Sequence, residues 1–353
     1  MDHLDVKILL KTTLAHKASD LHLVVGSEPQ IRIDGHLVKL DLPPVTQKSA
    51  EDICYSILTE EQKRVFEEEK ELDFAVTIPE FGRFRVNYYV SLGNISAAFR
   101  VIPTKIPSLD DLSSPPIYRE LIKREKGLIL VTGPTGSGKT TTVASMLHEI
   151  NHTIAKHILC IEDPVEFVHQ NAQSLFSYRT VGEDTKSFAN ALKASLREDP
   201  DVIYVGEMRD PETISAAINA AETGHLVFGT LHTNSAPQTI NRIVSVFDGE
   251  KQAQIRSQLS VTLEGVISQV LIPKIGGGRV CVPEILIGSP AVGNLIRENK
   301  IHQIHSQMMI GQGNTGMQTQ TQVIERLYKE RLITKEDAFR YCFRPEELKI
   351  KIL

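Results

Sequence analysis

The chain has 353 residues, with 39 Lys and Arg against 44 Asp and Glu for a formal charge of −5; 41% of residues are apolar and 24% charged. This length predicts two or three domains, and so much apolar material can fill a core, which excludes a wholly disordered chain. The acidic balance counts against a nucleic-acid partner, because binding along phosphates draws on a basic excess. No run approaches the ~18 apolar residues of a membrane helix. Residues 1–14 lack the apolar core and cleavage site of a signal peptide. The cysteines Cys54, Cys160, Cys281 and Cys342 form no C-x-x-C pair. Neither a zinc ribbon nor a disulfide framework is expected, and a reducing cytosol fits.

From residue 4 to about 102 the texture is short and β-rich. Helical patterns cover 4–16 and 50–69. Residues 21–25, 30–33, 74–78, 82–90 and 95–101 read as strands, with Asp34-Gly35 as a hairpin turn before Leu37-Val38. This is a small α+β domain, 1–102. Four prolines in residues 103–116, among serines and aspartates, predict a linker. The texture then changes. Short apolar runs at 127–132, 156–161, 201–205 and 225–231 alternate with helical patterns such as 187–197. Strands apolar on both faces between helices predict a parallel sheet covered by helices, an α/β domain over 117–289. Residues 290–353 read as helices with a glycine-rich loop at 311–316.

Within the α/β segment, Gly133-Pro-Thr-Gly136-Ser-Gly138-Lys139-Thr140 matches G-x-x-x-x-G-K-[ST]. Glycines let the backbone fold into a nest of inward N–H groups for phosphate oxygens. Lys139 reaches the β- and γ-phosphates, and the Thr140 hydroxyl suits Mg²⁺. An apolar strand before the loop and a helical pattern after it supply the required context. ATP with Mg²⁺ is therefore expected here, held by Gly133, Pro134, Thr135, Gly136, Ser137, Gly138, Lys139, Thr140 and Thr141.

Phosphoryl transfer needs a further metal-holding group and a base to orient water. Such groups sit just past strand C-termini in parallel α/β folds. Glu162 follows the strand at 158–161, and Glu207 follows 201–206. Asp163 either joins the metal site or positions Glu162. His225 and His232 bracket the strand at 226–231, and one of them is expected to sense the γ-phosphate. In the first domain, Arg83 and Arg85 share a strand face while Phe84 and Val86 point to the core; Arg100 lies on another strand. These arginines form a solvated basic face, or they serve a nucleotide on a neighbouring subunit, because their own domain offers no phosphate loop and no anion.

Together these boxes resemble the type IV pilus retraction ATPases (the PilT family) of the bacterial secretion superfamily. Residues 19–23 and 29–35 are similar to the opening of that family's N-terminal PAS-like domain, and 83–87 and 98–103 to its later strands. Residues 133–140 are similar to its Walker A, 161–169 to its aspartate box, 196–210 to its Walker B and 221–233 to its histidine box. The resemblance implies a RecA-like P-loop core beside a smaller PAS-like α+β domain. It also implies a homo-hexameric ATPase that is cytoplasmic, at the inner face of the inner membrane, and acts on a pilus platform protein to drive retraction and twitching motility. Glu162 and Glu207 take catalytic and metal- or water-positioning roles, with Thr140 and Glu207 at the metal. Arg85 and Arg100 reach the nucleotide across a subunit boundary.

Three places depart from the family pattern. Tyr178-Arg179-Thr180 stands for Gln-Arg-Glu. Gly293, a helix-weakening residue, stands for the first arginine of Ala-Ile-Arg-Asn-Leu-Ile-Arg-Glu in 291–298. Gly316-Met317-Gln318-Thr319-Gln320 replaces Gly-Met-x-Thr-Met. The competing reading within the superfamily is an assembly or type II secretion ATPase, most of which carry paired C-x-x-C ligands that this chain lacks. A non-hydrolysing accessory ring is disfavoured by Glu162 and Glu207, a RecA-type nucleic-acid motor by the acidic balance, and a GTPase by the lack of an Asn-Lys-x-Asp motif.

Overall fold

The computed structural model describes residues 5–33, 35–79, 81–103, 105–310 and 315–352. Asp34 of the predicted hairpin turn and residues 311–314 of the predicted glycine-rich loop lie outside the described residues, as do residue 4 of the first predicted helix and residue 104 of the predicted linker. The chain divides into two compact units, one of Met1–Lys105 with Asp163–Val168 and one of Ile106–Glu162 with His169–Leu353.

The first unit holds α1 (Val6–Ala15), β1 (Asp20–Leu23), β2 (Gln30–Ile33), β3 (His36–Lys39), α2 (Gln47–Tyr55), α3 (Glu60–Glu69), β4 (Glu71–Ile78), β5 (Gly82–Ser91) and β6 (Asn94–Ile102). The strands pair antiparallel in the order β3-β2-β1-β6-β5-β4. The single helical stretch predicted over 50–69 is two helices. Thr59 opens α3 with a reciprocal capping box, its hydroxyl accepting from Gln62 N while the Gln62 side chain accepts from Thr59 N. That local bonding starts a fresh helix where hydrophobic periodicity shows no break. Along β5, Phe84, Val86 and Tyr88 are buried. Tyr88 meets Phe66, Phe74 and Phe99 edge-on at 5.3–6.0 Å, a packing that suits the ring quadrupoles. Arg83 and Arg85 stand on the opposite face of the same strand, as alternation requires.

The second unit begins with the short helix α4 (Ile117–Leu121). It continues through β7 (Gly127–Thr132), α5 (Lys139–Thr153), β8 (His157–Glu162), β9 (Leu175–Thr180), α6 (Phe188–Ser195), β10 (Val202–Val205), α7 (Pro211–Glu222), β11 (Leu226–Leu231), α8 (Ala236–Ser245), α9 (Gly249–Thr262), β12 (Leu263–Pro273), β13 (Arg279–Ile287) and α10 (Pro290–Arg297). The sheet order is β13-β12-β7-β11-β10-β8-β9, parallel except for the β12–β13 hairpin. Every residue of β7, β10 and β11 is buried, as expected for strands covered on both faces. Beyond α10, the helices Gln320–Lys329, Lys335–Tyr341 and Pro345–Ile352 close a smaller core on the hairpin around Ile272, Val282, Ile324 and Leu348. This α/β architecture with a P-loop core is the predicted fold class. Strands β9, β12 and β13 were not predicted.

Candidate nucleotide site

The phosphate loop joins β7 to α5. Its glycines carry the backbone through left-handed conformations, with φ of 145° at Gly133, 77° at Gly136 and 86° at Gly138. Gly133 is a steric requirement as well: a Cβ there would come within 2.2 Å of the Gln269 carbonyl oxygen and 2.6 Å of Ser137 Oγ. Helix α5 begins at Lys139 without a side-chain cap on its N-terminus, leaving N–H groups and the positive end of the helix dipole for an anion. The Lys139 ammonium folds back along the loop, donating to the carbonyls of Gly133 at 2.9 Å and Pro134 at 3.1 Å.

The loop rests on a buried hydroxyl chain. Thr132 Oγ1, at the end of β7, lies 2.7 Å from Ser268 Oγ on β12 and 3.4 Å from Thr239 Oγ1 on α8; Thr239 in turn lies 2.7 Å from Thr233 Oγ1. Neither Ser268 nor Thr239 belongs to a recognisable motif, and only their burial in the fold reveals them. Glu284 on β13 is another such residue. It accepts from Ala236 N at 2.9 Å, capping the helix that follows His232 and Thr233. Burial pushes its carboxyl up, although the bonds it accepts pull the other way.

Parallel pairing brings strand ends together. Ile161 faces Val205, Val205 faces Gly229, and Leu231 faces Thr132. Glu162 at the end of β8, Glu207 after β10, His232 after β11 and the loop after β7 therefore share the C-terminal edge of one sheet. Glu162 is 5% exposed. Gly206 N donates to Ile161 O at 2.8 Å, which seats the approach to Glu207 against the strand carrying Glu162. Glu207 Oε1 accepts from Arg209 Nε and lies 3.0 Å from His232 Nε2.

His225 is placed elsewhere. It precedes β11, its carbonyl accepts from Gly127 N at the start of β7, and its Nδ1 lies 3.0 Å from Ala220 O. It stands at the opposite, N-terminal edge of the sheet, a strand length of roughly 20 Å from His232 at about 3.3 Å per residue. Within one chain, His225 does not join the loop, and only His232 keeps the expected position.

Arg85 and Arg100 of the first unit have anions of their own, contrary to expectation. Arg85 grips Asp73 through Nη2 at 2.6 Å and Nε at 3.3 Å, and meets Glu166 at 3.4 Å. Arg100 Nε meets Asp20 at 2.9 Å. Arg83 donates to Val165 O at 3.1 Å and Thr77 Oγ1 at 3.0 Å. Arg85 and Arg100 are register partners on β5 and β6, so they share one face. The acids that hold them lie on neighbouring strands and in Asp163–Val168, which no local pattern discloses.

The departures from the family pattern also find local partners. Tyr178 OH accepts from His169 N at 2.6 Å, and Arg179 pairs with Glu198 at 2.6 Å. Gly293 is buried in α10, where a Cβ would come within 2.5 Å of Ser260 O. The glycine that weakens the helix thus allows α10 to approach the end of α9, and Arg297 Nη2 donates to Ser260 Oγ at 3.1 Å.

A glycine-rich loop between a buried parallel strand and a helix, with two acids at the same sheet edge, defines a P-loop nucleotide-binding protein. Residues 3–277 match the family model for type II/IV secretion system proteins. The chain belongs to that family. It is 49% identical over 335 residues to the type IV pilus retraction ATPase PilT of Pseudomonas aeruginosa, covering 95% of this chain and 97% of that one. It is 46% identical over 341 residues to a twitching motility protein of Neisseria gonorrhoeae, covering 96% and 91%. A crystal structure of the pilus retraction motor PilT with bound ADP superposes with a TM-score of 0.92 at 49% identity, covering 98% of this chain and 99% of that one.

Proposed function

We propose that the protein is an ATP-hydrolysing motor that drives type IV pilus retraction and twitching motility. The observation that carries this reading is the joining of the phosphate loop, Glu162, Glu207 and His232 at one sheet edge, in a chain alike along nearly its whole length to pilus retraction ATPases. The loop residues 133–141 hold the nucleotide, with Lys139 on the terminal phosphates. Glu207 and Glu162 orient the attacking water and hold its proton, and His232 reports the γ-phosphate to Glu207, which it touches. The Thr140 hydroxyl and the Glu207 carboxylate would hold Mg²⁺, an oxygen set that suits a cation which binds through few carboxylates. Mg²⁺ supplies charge neutralisation at the phosphates.

The working assembly is a homo-hexamer on the cytoplasmic face of the inner membrane, acting on the pilus platform protein. The functional division runs 1–102, linker 103–116, ATPase 117–289 and helical region 290–353. Among the described residues no helix is long and apolar enough to cross a membrane. Arg85 and Arg100 act on the nucleotide of a neighbouring subunit.

Steady-state phosphate release by the purified protein, with pilus number and twitching in a deletion strain, tests the reading. Turnover with excess pili and no twitching supports it. Absent pili support an assembly ATPase, and a folded ring without turnover supports an accessory role. Subunit mixing tests the arginines. Arg85→Ala rings mixed with Lys139→Ala rings regain activity if the arginine acts in trans, and show only the sum of the inactive parents if it does not.

A further inference from the structure

Gln269 lies on β12, one residue past the Ser268 hydroxyl that meets Thr132. Gln269 is 3% exposed, and its Nε2 donates to the Ser137 carbonyl inside the phosphate loop at 2.7 Å. It bounds the loop at two further positions: its carbonyl oxygen closes the space behind Gly133, and its Nε2 would stand 3.3 Å from a Cβ on Gly138. Two polar atoms remain. Gln269 Oε1 and Ser137 Oγ are both buried without a hydrogen-bond partner among the described residues. Buried polar atoms in that condition are uncommon in folded proteins. One is an acceptor and the other can donate, and their residues are already joined by the Nε2 bond.

We propose that Gln269 is the positioning residue of the phosphate loop, and that the Ser137 hydroxyl donates to Gln269 Oε1 in the nucleotide-bound loop. The inference rests on the reading that this loop binds nucleotide. In the present structure the amide fixes the loop by one bond, and nucleotide adds the second. Strand β12 pairs with β13, whose Ile285 exchanges backbone hydrogen bonds with Gln318 at 2.8 and 3.1 Å.

The test is Mg·ADP binding by calorimetry to the full chain carrying Gln269→Leu or Gln269→Glu. Both are expected to bind at least 10-fold more weakly than wild type, with melting temperatures of the nucleotide-free proteins within a few degrees of it. Gln269→Met replaces the leucine variant if that one does not fold. The glutamate variant adds a readout that packing alone would not move. Ionised, it sets an acceptor against the Ser137 carbonyl; protonated, it donates there as the amide does. Its affinity should therefore recover relative to wild type as the pH falls from 8 to 6. Affinity of the leucine or methionine variant within two-fold of wild type, or a loss in the glutamate variant that does not change with pH, overturns the proposal. If wild type itself fails to bind Mg·ADP, the nucleotide reading fails instead.

Discussion

The two edges of the parallel sheet are built from the same strands and carry similar residues, yet they are chemically unlike. At the N-terminal edge, charged and polar side chains fasten the chain to itself. Asp201 accepts from His157 N at 2.8 Å and from Lys156 at 3.0 Å; burial works to raise its carboxyl, but those bonds hold it below the usual carboxylate range. His157 reaches Ser177, and His225 reaches Ala220 O. At the C-terminal edge, Lys139 lies over a loop of left-handed glycines, and Glu207 meets Arg209 and His232. Strand polarity makes the difference. Helix N-termini and loops that can face a ligand follow strand C-termini, while the other edge receives helix C-termini.

The largest test of this contrast is Lys139→Ala. Removing a charge aimed at developing phosphate negativity should lower turnover by on the order of 10²–10³-fold, with little change in melting temperature. Activity within a few-fold of wild type would take the loop out of the mechanism. Next come Glu207→Gln and Glu162→Gln, expected to slow hydrolysis by ~10²-fold, the lower range for a positioned acid–base group, while equilibrium ATP binding persists. If either loses binding and turnover together, its role is structural. The sharpest comparison is the histidine pair. His232→Ala should reduce phosphate release about 10-fold, matching the ~1.5 kcal/mol lower bound for a hydrogen bond to a charged group, whereas His225→Ala should stay within about two-fold. Equal losses would erase the distinction between the edges.

The smallest effect is on stability. His169 is buried against Phe176, with rings stacked at 4.3 Å, and burial, helped by His148 and His152, lowers its pKa to about 3 from 6.5. The unfolded chain takes up a proton that the folded chain refuses. Stability contributed by the neutral ring is therefore present above pH 6.5 and is lost on acidification, by up to about 1.4 kcal/mol per pH unit until the folded pKa is reached. His169→Phe should flatten the decline in melting temperature between pH 6.5 and 4. An unchanged slope would assign the acid sensitivity to other groups.

What sequence could reveal follows from the range of the interactions involved. The phosphate loop is contiguous and needs particular residues for local reasons, so eight positions disclose it. Glu162 and Glu207 each end an apolar run, and the rule for parallel strands places them correctly. That rule also separates the histidines: His225 opens its strand and His232 closes it, but bracketing alone treated them alike. Strand β12 is hidden in the sequence because it follows directly from α9, with no turn signal between Thr262 and Leu263. Ser268, Gln269 and Glu284 matter through partners on distant elements, and one sequence carries no record of such pairings. The acids Asp73 and Asp20 are likewise joined to Arg85 and Arg100 only by strand register.

Asp163–Val168 belongs to the first unit, which is therefore discontinuous in the sequence. A fragment ending at Lys105 omits Val165 and Glu166, partners of Arg83 and Arg85, so it is an incomplete module however cleanly the proline-rich segment is cut. Exchanging this module between relatives requires two codon blocks to travel together. Recombination at the linker alone would join an arginine-bearing sheet to another protein's aspartate-box segment.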